Sequence, residues 1–234
     1  ALKCRDLSAA RCAVCHHMDY SAYKAMEGQD TEAKVMGQAD VLRKADLIFA
    51  VGPKLRISAE SKTAERGVKV IELMPGLADI APNIGIPHQF RAITFGRMGP
   101  HNQRLKQTEL AVAGFAAAHK NGIGSLSSDD DLTVVGLPEK DRDAQHKHLL
   151  MIAEAQAGKV VQIHGWKYME DRVKLLDLLR NMSACLMLSL HEGFGLTGWE
   201  AIAAGVPLIV SRNSGLYEAV SKYLGGMGIG CLTV

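Results

Sequence analysis

The chain has 234 residues, of which 47% are hydrophobic and 22% are charged, and its formal net charge is +2. This composition excludes a disordered chain, and so small a charge excludes a general basic surface for nucleic acid or an anionic membrane. No apolar run approaches the roughly 18 residues of a membrane-spanning helix, no secretory signal opens the chain, and an odd count of five cysteines indicates reduced thiols. We therefore expect a cytoplasmic protein without a transmembrane segment, for which peripheral membrane contact and the oligomeric state stay open.

Apolar runs alternate with amphipathic stretches over most of the chain, which is the pattern of a mainly parallel sheet with helices on its faces. The apolar runs predict strands at residues 12–16, 46–51, 69–73, 92–95, 132–135, 160–163, 184–189 and 208–211. The amphipathic stretches predict helices at residues 33–44, 54–65, 106–120, 141–157, 169–181 and 198–204. The sequence thus predicts the α/β class.

A proline- and glycine-rich segment at residues 74–89 has no steady hydrophobic period, which is typical of a connector or a long loop. After it a new series of strands and helices starts at FRAITFGRMG. We therefore divide the chain near residue 90 into domains of residues 1–90 and 91–234.

The stretch HEGFGLTGWEAIAAGVPLIVS, residues 191–211, places two carboxylates around a glycine-rich bend. Glu192 follows a predicted strand, and open α/β sheets bind ligands at the carboxyl ends of their strands. Gly193 and Gly195 are expected to let backbone N–H groups approach a ligand. Thr197 and Glu200 form the T-x-x-E pattern of a capping box, and the N-terminus of the helix it predicts would favour phosphate. Spacing alone leaves open whether Glu200 binds a ligand or only caps the helix.

This stretch, together with the later SGLYE, resembles the E-x7-E motif of retaining glycosyltransferases of family four. FRAITFGRMG resembles the first strand of that family's C-terminal domain, with Gly96 and Arg97 in the Gly-Arg places. KQTELAVAGFAAA resembles the helix that bears the family's lysine, with Lys106 in that place. Gln107 stands where the family usually has glycine, which leaves Lys106 and Arg104 as alternative ligands.

The resemblance implies a GT-B fold, in which two Rossmann-like domains with mainly parallel sheets bind a nucleotide-sugar donor in the cleft. Residues 1–90 would be the later part of the N-terminal, acceptor-side domain and its connector. Residues 91–234 would be the nucleotide-sugar-binding domain without its last helices. We therefore expect a longer protein at both ends.

The resemblance also implies the reaction, in which a sugar moves with retention from a nucleotide-diphosphate sugar to an unidentified acceptor, without a metal or another cofactor. Arg97 and Lys106 would bind the diphosphate and stabilise charge on the leaving nucleotide. Glu192 would face the sugar or its phosphate end. A histidine after an N-terminal-domain strand lies near the transferred sugar in this family, and of His16 and His17 we favour His17.

The remaining contacts implied by the resemblance surround the nucleotide. Glu200 would accept hydrogen bonds from the ribose hydroxyls. The base would be bordered by His164, Gly165 and Trp166, which are expected just after the strand at 160–163. The residues expected to complete the nucleotide site are Gly96, Arg104, His164, Gly165, Gly193, Phe194, Gly195 and Leu196.

Other functions compete with this interpretation. A non-catalytic binding module within a longer protein and, less favoured, a nucleotide-sugar epimerase would fit the same fold. CAVCH at residues 12–16 matches a haem-attachment pattern and offers thiols to zinc, but it lies in an apolar strand, which argues against both. Three aspartates at residues 129–131 suggest a metal-binding D-x-D motif, but they precede a strand rather than follow one, so we expect a solvated turn.

Overall fold

The computed structural model of the protein describes residues 11–23, 30–77, 79, 89–99, 104–122 and 126–225. Their strands are β1 (Ala13–His16), β2 (Leu47–Val51), β3 (Lys69–Leu73), β4 (Arg91–Phe95), β5 (Asp131–Leu137), β6 (Gln162–Lys167), β7 (Ala184–Met187) and β8 (Leu208–Val210). Their α-helices are α1 (Asp30–Lys44), α2 (Gly52–Thr63), α3 (Thr108–Lys120), α4 (Arg142–Ala157), α5 (Arg172–Leu179), α6 (Leu196–Ala203) and α7 (Gly215–Leu224). None of these described helices is both long enough and apolar enough to span a membrane.

The chain forms two compact units. The first contains the described residues of Ala1–Gly76, His191–Gly195 and Arg212–Val234, and the second those of Leu77–Leu190 and Leu196–Ser211. The sequence places one division near residue 90 and assigns everything after it to a single domain. In the structure, by contrast, the chain returns to the first unit twice after that point.

The first unit is built on a three-stranded parallel sheet in the order β1-β2-β3. The central strand β2 is apolar, and its residues Ile48 and Ala50 are fully buried. Helix α2 follows β2 directly, with Pro53 in its first turn, where a missing backbone N–H costs no helical hydrogen bond. Leu55 of α2 is buried against the interior. Because β1 and β2 are parallel, their carboxyl ends lie at the same edge of the sheet.

The second unit is built on a five-stranded parallel sheet in the order β6-β5-β4-β7-β8. The chain runs outward from β4 through β5 to β6 and then returns to the other side of β4 for β7 and β8. Two separate clusters of buried apolar side chains belong to this unit, which fits a sheet covered on both faces. The direction of winding thus reverses between β4 and β7, and open α/β sheets bind ligands outside the carboxyl ends of the strands at such a point.

The predicted α/β class with parallel sheets is confirmed, but several local expectations were wrong. Strand β6 runs from Gln162 to Lys167, so the residues expected to follow a strand end lie inside an edge strand. Helix α6 begins at Leu196, which places Thr197 inside the helix. The Thr197 hydroxyl contacts Met187 Sδ at 3.2 Å, so the predicted capping box does not form. Helix α7 was not predicted.

The aspartates at residues 129–131 are not a solvated turn throughout. Asp130 and Asp131 are each only 4% exposed. Asp130 accepts hydrogen bonds from the backbone N–H groups of Phe90 (2.7 Å) and Ser127 (2.6 Å). Asp131 forms an ion pair with Arg91 at 3.3 Å. These carboxylates therefore fasten the amino ends of β4 and β5 and lie at the opposite end of the sheet from the candidate site.

Glu72 at the end of β3 connects α2 and α7 in the first unit. Its carboxylate accepts hydrogen bonds from Arg56 Nε (3.1 Å), Lys222 Nζ (3.0 Å) and Tyr223 Oη (2.6 Å). Burial opposes ionisation of this side chain, but the donors outweigh it and hold the pKa of Glu72 below its ordinary value. Because three donors from two helices meet on one carboxylate, we expect Glu72 to fasten α7 to the first sheet.

Glu72→Gln is expected to lower the free energy of unfolding by about 1–3 kcal/mol, because a neutral amide weakens three charge-assisted hydrogen bonds. Urea unfolding followed by circular dichroism measures this loss. Glu60→Gln is the matched control: Glu60 also pairs with Arg56, at 2.6 Å, but is exposed. A surface pair of this kind contributes about 0.3–0.5 kcal/mol. Equal losses in the two variants would contradict the assigned role of Glu72.

Candidate functional site

Two glycines shape the carboxyl ends of β4 and β5 in the second unit. A Cβ added to Gly136 would lie 1.6 Å from the carbonyl oxygen of Gly96, so no other residue fits there without moving the backbone. Gly136 also has a φ of 118°, and Gly96 has a φ of 150°, both in the region that favours glycine. The backbone N–H of Met98 donates to Gly136 O at 2.9 Å and fixes the turn that follows. The chain after β4 is therefore held tightly against the end of β5.

Two of the predicted cations lie at this turn. Lys106 packs beside Gly96: its Cε and Nζ atoms are 3.5 and 3.8 Å from the position of a Cβ on Gly96. Arg97 is exposed, and its guanidinium carbon lies 5.7 Å from the ring centroid of Tyr168, within cation–π range. Arg104 is exposed one helical turn from Thr108. Of the two alternatives, the structure therefore places Lys106 next to the predicted Gly96–Arg97 turn.

Gln107 adopts a left-handed conformation, with φ 55° and ψ 40°, directly before α3. Its side-chain amide donates to Arg104 O at 2.7 Å, which closes the turn that carries Lys106. A left-handed backbone favours glycine, so the conformation at position 107 suits the glycine that the family usually has there. Gln107 keeps the turn, but a residue other than glycine adds backbone strain at this position.

A cavity of about 920 Å³ opens at the carboxyl ends of β4, β5 and β6 in the second unit. Arg97 and Gly165 line it, as the sequence predicted for neighbours of one ligand. Trp166 and Tyr168 also line it and are 41% and 46% exposed. A ligand with a flat ring therefore finds aromatic surface and a guanidinium in one place.

His164 differs from its neighbours in this cavity. It is exposed on β6 and pairs in register with Thr133, but it is not among the residues that line the cavity in the described part of the second unit. Sequence reasoning missed Tyr168 and Lys167, which do line it. The run Trp-Lys-Tyr directly after a glycine was the available signal, because aromatic residues are enriched at binding surfaces.

Glu200 lies in the second turn of α6 and is half-buried. Its Oε1 is 3.2 Å from Arg172 Nη2 at the start of α5, and its side chain is 17% exposed. Burial raises the pKa of Glu200 above its ordinary value, and Arg172 opposes that shift. The carboxylate therefore has a protein partner in this state, and a ligand hydroxyl would share it with Arg172.

The bend at residues 192–195 belongs to the first unit. The Glu192 N–H donates to Asn213 O at 3.3 Å, and the Gly215 N–H donates to Glu192 O at 3.2 Å. These two bonds pair the bend with the segment before α7, as a short parallel bridge between Glu192 and Ser214. The backbone around Glu192 is thus fixed by the start of α7.

Gly193 of this bend is closely packed in the first unit. A Cβ on Gly193 would lie 3.2 Å from Leu55, and Gly193 O lies 2.1 Å from the Cβ position of Gly215. Phe194 is only 3% exposed, and its ring packs on Gly52. Gly195 has a φ of 109° and directly precedes the exposed Leu196, where α6 begins. Gly193 and Phe194 are therefore packed inside the first unit, and the N-terminus of α6 begins after them.

Two histidines follow one another at the carboxyl end of β1. His16 is 3% exposed, and burial together with nearby Lys62 lowers its pKa to about 4. His17, the residue favoured from sequence, is exposed, and its backbone oxygen lies 3.4 Å from the Cβ position of Gly193. The structure thus places His16 inside the unit and His17 at its surface, beside the glycine-rich bend.

Asp19 holds the loop that carries these histidines. Its carboxylate accepts hydrogen bonds from Ser58 Oγ (2.5 Å), Lys62 Nζ (2.7 Å) and the Ser21 N–H (2.9 Å). Although burial opposes ionisation, these donors hold the pKa of Asp19 well below its usual range. The loop after β1 is therefore fastened to α2.

Lys54 and His191 are titratable neighbours of Glu192 that sequence reasoning missed. Lys54 Nζ donates to Asn213 O in the segment paired with Glu192. Burial lowers the pKa of Lys54, while Glu218, Glu192 and Asp19 oppose that shift. Burial and Lys54 lower the pKa of His191. The position of Lys54, just after the apolar strand β2, was the available signal.

In the described part of the chain, no three His, Cys, Asp or Glu side chains are grouped closely enough to hold a metal ion. Cys12, directly before β1, is buried, and Cys15 within β1 is exposed.

Comparison with known proteins identifies the family. The sequence model described as "Family 4 Glycosyltransferase in conflict systems" matches residues 1–233. The chain belongs to this family. The resemblance seen in the E-x7-E stretch is thereby confirmed.

Curated relatives of this family-four chain are glycosyltransferases. D-inositol 3-phosphate glycosyltransferase of Acidothermus cellulolyticus is 28% identical over 201 residues, which cover 80% of this chain and 43% of that protein. Glycogen synthase of Mycobacterium tuberculosis is 37% identical over 81 residues, or 35% of this chain and 19% of that protein. The chain thus spans less than half the length of these curated relatives.

Solved structures of similar fold confirm the predicted GT-B class. Sucrose-phosphate synthase from Thermosynechococcus elongatus superposes with a TM-score of 0.65 at 20% identity, covering 92% of this chain and 53% of that one. A structure described as trehalose-6-phosphate from E. coli bound with UDP-2-fluoro glucose gives a TM-score of 0.60 at 13% identity, covering 93% of this chain and 56% of that one. At these identities the likeness establishes the fold alone.

The burial of His16 predicts a pH-dependent stability. Its pKa is about 4 in the folded protein against 6.5 for an unperturbed histidine. The folded state therefore binds fewer protons than the unfolded state in this window, and stability is lost as the pH falls from 6.5 towards 4. His16→Gln is expected to flatten the dependence, as measured by urea unfolding at a series of pH values. Identical slopes for the two proteins would contradict the assignment.

Gln107→Gly is expected to raise the free energy of unfolding by about 1 kcal/mol, because glycine accepts the left-handed conformation without strain. Gln145→Gly is the matched control, since Gln145 lies in the regular helix α4, where glycine is expected to cost about 0.5–1 kcal/mol. Thermal unfolding of the three proteins compares these effects. If both variants lose stability, the strain at Gln107 is refuted.

Proposed function

We propose that this protein is a retaining glycosyltransferase that moves a sugar from a nucleotide-diphosphate sugar to an acceptor. Membership of the family over residues 1–233 supports the reaction class. The observation that carries the proposal is the cationic turn of Arg97 and Lys106 at the reversal point of the second sheet, beside a cavity with exposed aromatic surface. This chain spans about half the length of its relatives, so the proposed activity is that of the whole protein.

The second unit would bind the nucleotide diphosphate. A diphosphate needs cations at close range; Arg97 offers a guanidinium in the turn after β4, and Lys106 offers an ammonium that packs beside Gly96. As the sugar leaves, negative charge develops on the diphosphate, and fixed cations stabilise that charge in the transition state. Two protein cations can fill this role without a metal or another cofactor. The base would stack against Tyr168 or Trp166, and Glu200 would accept hydrogen bonds from the ribose.

The first unit would act on the sugar and its acceptor. Glu192 would contact the transferred sugar, with Lys54 balancing part of its charge. His16 and His17 at the end of β1 are the candidates for a sugar contact. Asp19 would act as a positioning residue, because it fastens their loop to α2 without belonging to the bend itself.

We further propose that the protein works in the cytoplasm. The thiols of Cys12, Cys15 and Cys185 are free, which is typical of a reducing compartment.

Turnover of the full-length protein tests the reaction. A panel of UDP-, GDP- and ADP-sugars is expected to contain a donor whose sugar is released or transferred with retained anomeric configuration, as read by NMR. UDP-glucose is the first candidate, because a structural neighbour carries a fluorinated UDP-glucose. Glu192→Gln is expected to reduce turnover by about 100-fold or more, the usual effect of removing a contact to the transition state. Glu154→Gln, an exposed carboxylate on α4, is the control.

Two outcomes would contradict this proposal. Unchanged turnover in Glu192→Gln would remove that carboxylate from the reaction. Donor binding by the wild type without transfer or hydrolysis would favour the non-catalytic binding module instead.

Nucleotide affinity tests the cationic turn separately. Arg97→Ala is expected to weaken binding of the matching nucleoside diphosphate by about tenfold to 100-fold, since a charge-assisted hydrogen bond contributes about 1.5–3 kcal/mol. Isothermal titration calorimetry measures the change. Arg180→Ala removes an exposed arginine at the end of α5 and is expected to leave the affinity unaltered. Equal affinity in Arg97→Ala would exclude Arg97 from the nucleotide site.

A further inference from the structure

An ion pair joins the start of α5 to α6 within the second unit. Arg172, the first residue of α5, places its Nη2 atom 3.2 Å from Oε1 of Glu200 in the second turn of α6. The two side chains differ in exposure, because that of Arg172 is 64% exposed and that of Glu200 only 17%. Solvent therefore reaches the guanidinium freely, whereas the carboxylate is largely enclosed by protein.

Arg172 occupies a position that helix stability does not explain. A helix carries a partial positive charge at its amino end, so a cation in the first turn is unfavourable. Asp171, directly before it, caps α5 by accepting hydrogen bonds from the backbone N–H groups of Val173 (3.0 Å) and Lys174 (3.2 Å). This cap fixes the backbone of the first turn, from which Arg172 extends to Glu200. The contact with Glu200 therefore offsets the cost of a cation at this position.

Arg172 also acts on the charge state of Glu200. Burial raises the pKa of Glu200 above its ordinary value, and Arg172 opposes that shift. An ionised carboxylate only accepts hydrogen bonds and has about four lone-pair sites, whereas a protonated carboxyl group also carries a donor. One contact with Arg172 thus leaves acceptor capacity for two hydroxyl groups. The ion pair favours the form of Glu200 that suits a sugar with adjacent hydroxyls.

The ion pair adjoins the cavity of the second unit. Asp171 and Lys174, which flank Arg172 in the chain, both line that cavity, as does Tyr168. The start of α5 therefore borders the proposed base site on one side and contacts Glu200 on the other.

We propose that Arg172 is a positioning residue for recognition of the nucleotide ribose. It holds the Glu200 carboxylate ready for the ribose hydroxyls and so sets the preference for a ribonucleotide over a nucleotide that lacks them. This inference rests on the proposed transferase function, in which Glu200 contacts the ribose. Because Arg172 acts through Glu200, its effect is confined to ligands that carry these hydroxyls.

The chain offers matched variants for a test. Arg172→Gln removes the charge and keeps much of the side chain, and because that side chain is mostly exposed the variant is expected to fold. Arg180→Gln is the control, since it removes an exposed arginine at the other end of α5, where Arg180 pairs with Asp177 at 3.6 Å. Glu200→Gln, alone and combined with Arg172→Gln, completes a double-mutant cycle.

Isothermal titration calorimetry on the full-length protein compares UDP, GDP and ADP with their 2′,3′-dideoxy counterparts. For the diphosphate that the wild type binds most tightly, we expect the ribose hydroxyls to raise the affinity by about tenfold or more, the effect of a charge-assisted hydrogen bond. Arg172→Gln should lower this ratio by about threefold or more, and Arg180→Gln should leave it unchanged. Affinity for the dideoxy compound should be the same in these proteins. In the Glu200→Gln background, Arg172→Gln should not change the ratio further.

The proposal is overturned if Arg172→Gln leaves the ratio unchanged, or if it weakens both compounds equally, as a purely structural link between two helices would. A further fall of the ratio in the Glu200→Gln background would also overturn it, because Arg172 would then act without Glu200. So would a wild type that binds both compounds equally. A failure of the proposed function is different: the wild type would bind none of the three nucleoside diphosphates and transfer no sugar, and the inference would fall with it.

Discussion

The candidate nucleotide site depends on the close approach of Gly96 and Gly136 at the carboxyl ends of the adjacent strands β4 and β5 in the second sheet. The carbonyl oxygen of Gly96 occupies the space in which any other residue at position 136 would place its Cβ. This contact turns the chain sharply after β4. As a result the Arg97 guanidinium lies over the Tyr168 ring, and Lys106 packs beside Gly96. The position of both cations therefore follows from a backbone constraint rather than from a direct interaction between their side chains.

Close contacts at glycines also fix the backbone of the bend at residues 192–195 in the first unit. Phe194 packs on Gly52 at the start of α2, and Gly215 at the start of α7 admits the carbonyl of Gly193. Because Gly52 and Gly215 have no Cβ, the bend can pair with the segment before α7. Glu72 fastens the other end of that helix. Glu192 consequently sits on a rigid backbone, which its proposed contact to a transition state would require.

The sequence predicts the parts of this fold whose signals are local. Strands β4 and β5 are mainly apolar runs, and a Gly-Arg pair follows β4. The predicted strand ends at residue 163 because Gly165 is a weak strand former, whereas pairing with β5 extends β6 to Lys167 in the structure. The capping box at Thr197 was wrong for a similar reason, since the helix start is set by tertiary packing.

Most of what the sequence missed in the candidate site involves contacts between distant segments. Arg172 meets Glu200 although the two are 28 positions apart in the chain (200 minus 172). Lys54 reaches the segment beside Glu192 from the first third of the chain. No periodicity or motif encodes such contacts, so they need a folded structure to be seen.

We propose that the turn after β4 binds the diphosphate of a sugar nucleotide. A crystal structure of the full-length protein with a bound nucleoside diphosphate tests this binding site most directly. The account predicts diphosphate oxygens within hydrogen-bonding distance of Arg97 and Lys106, with the base against Tyr168 or Trp166. A diphosphate bound elsewhere, with both cations in solvent, would contradict it.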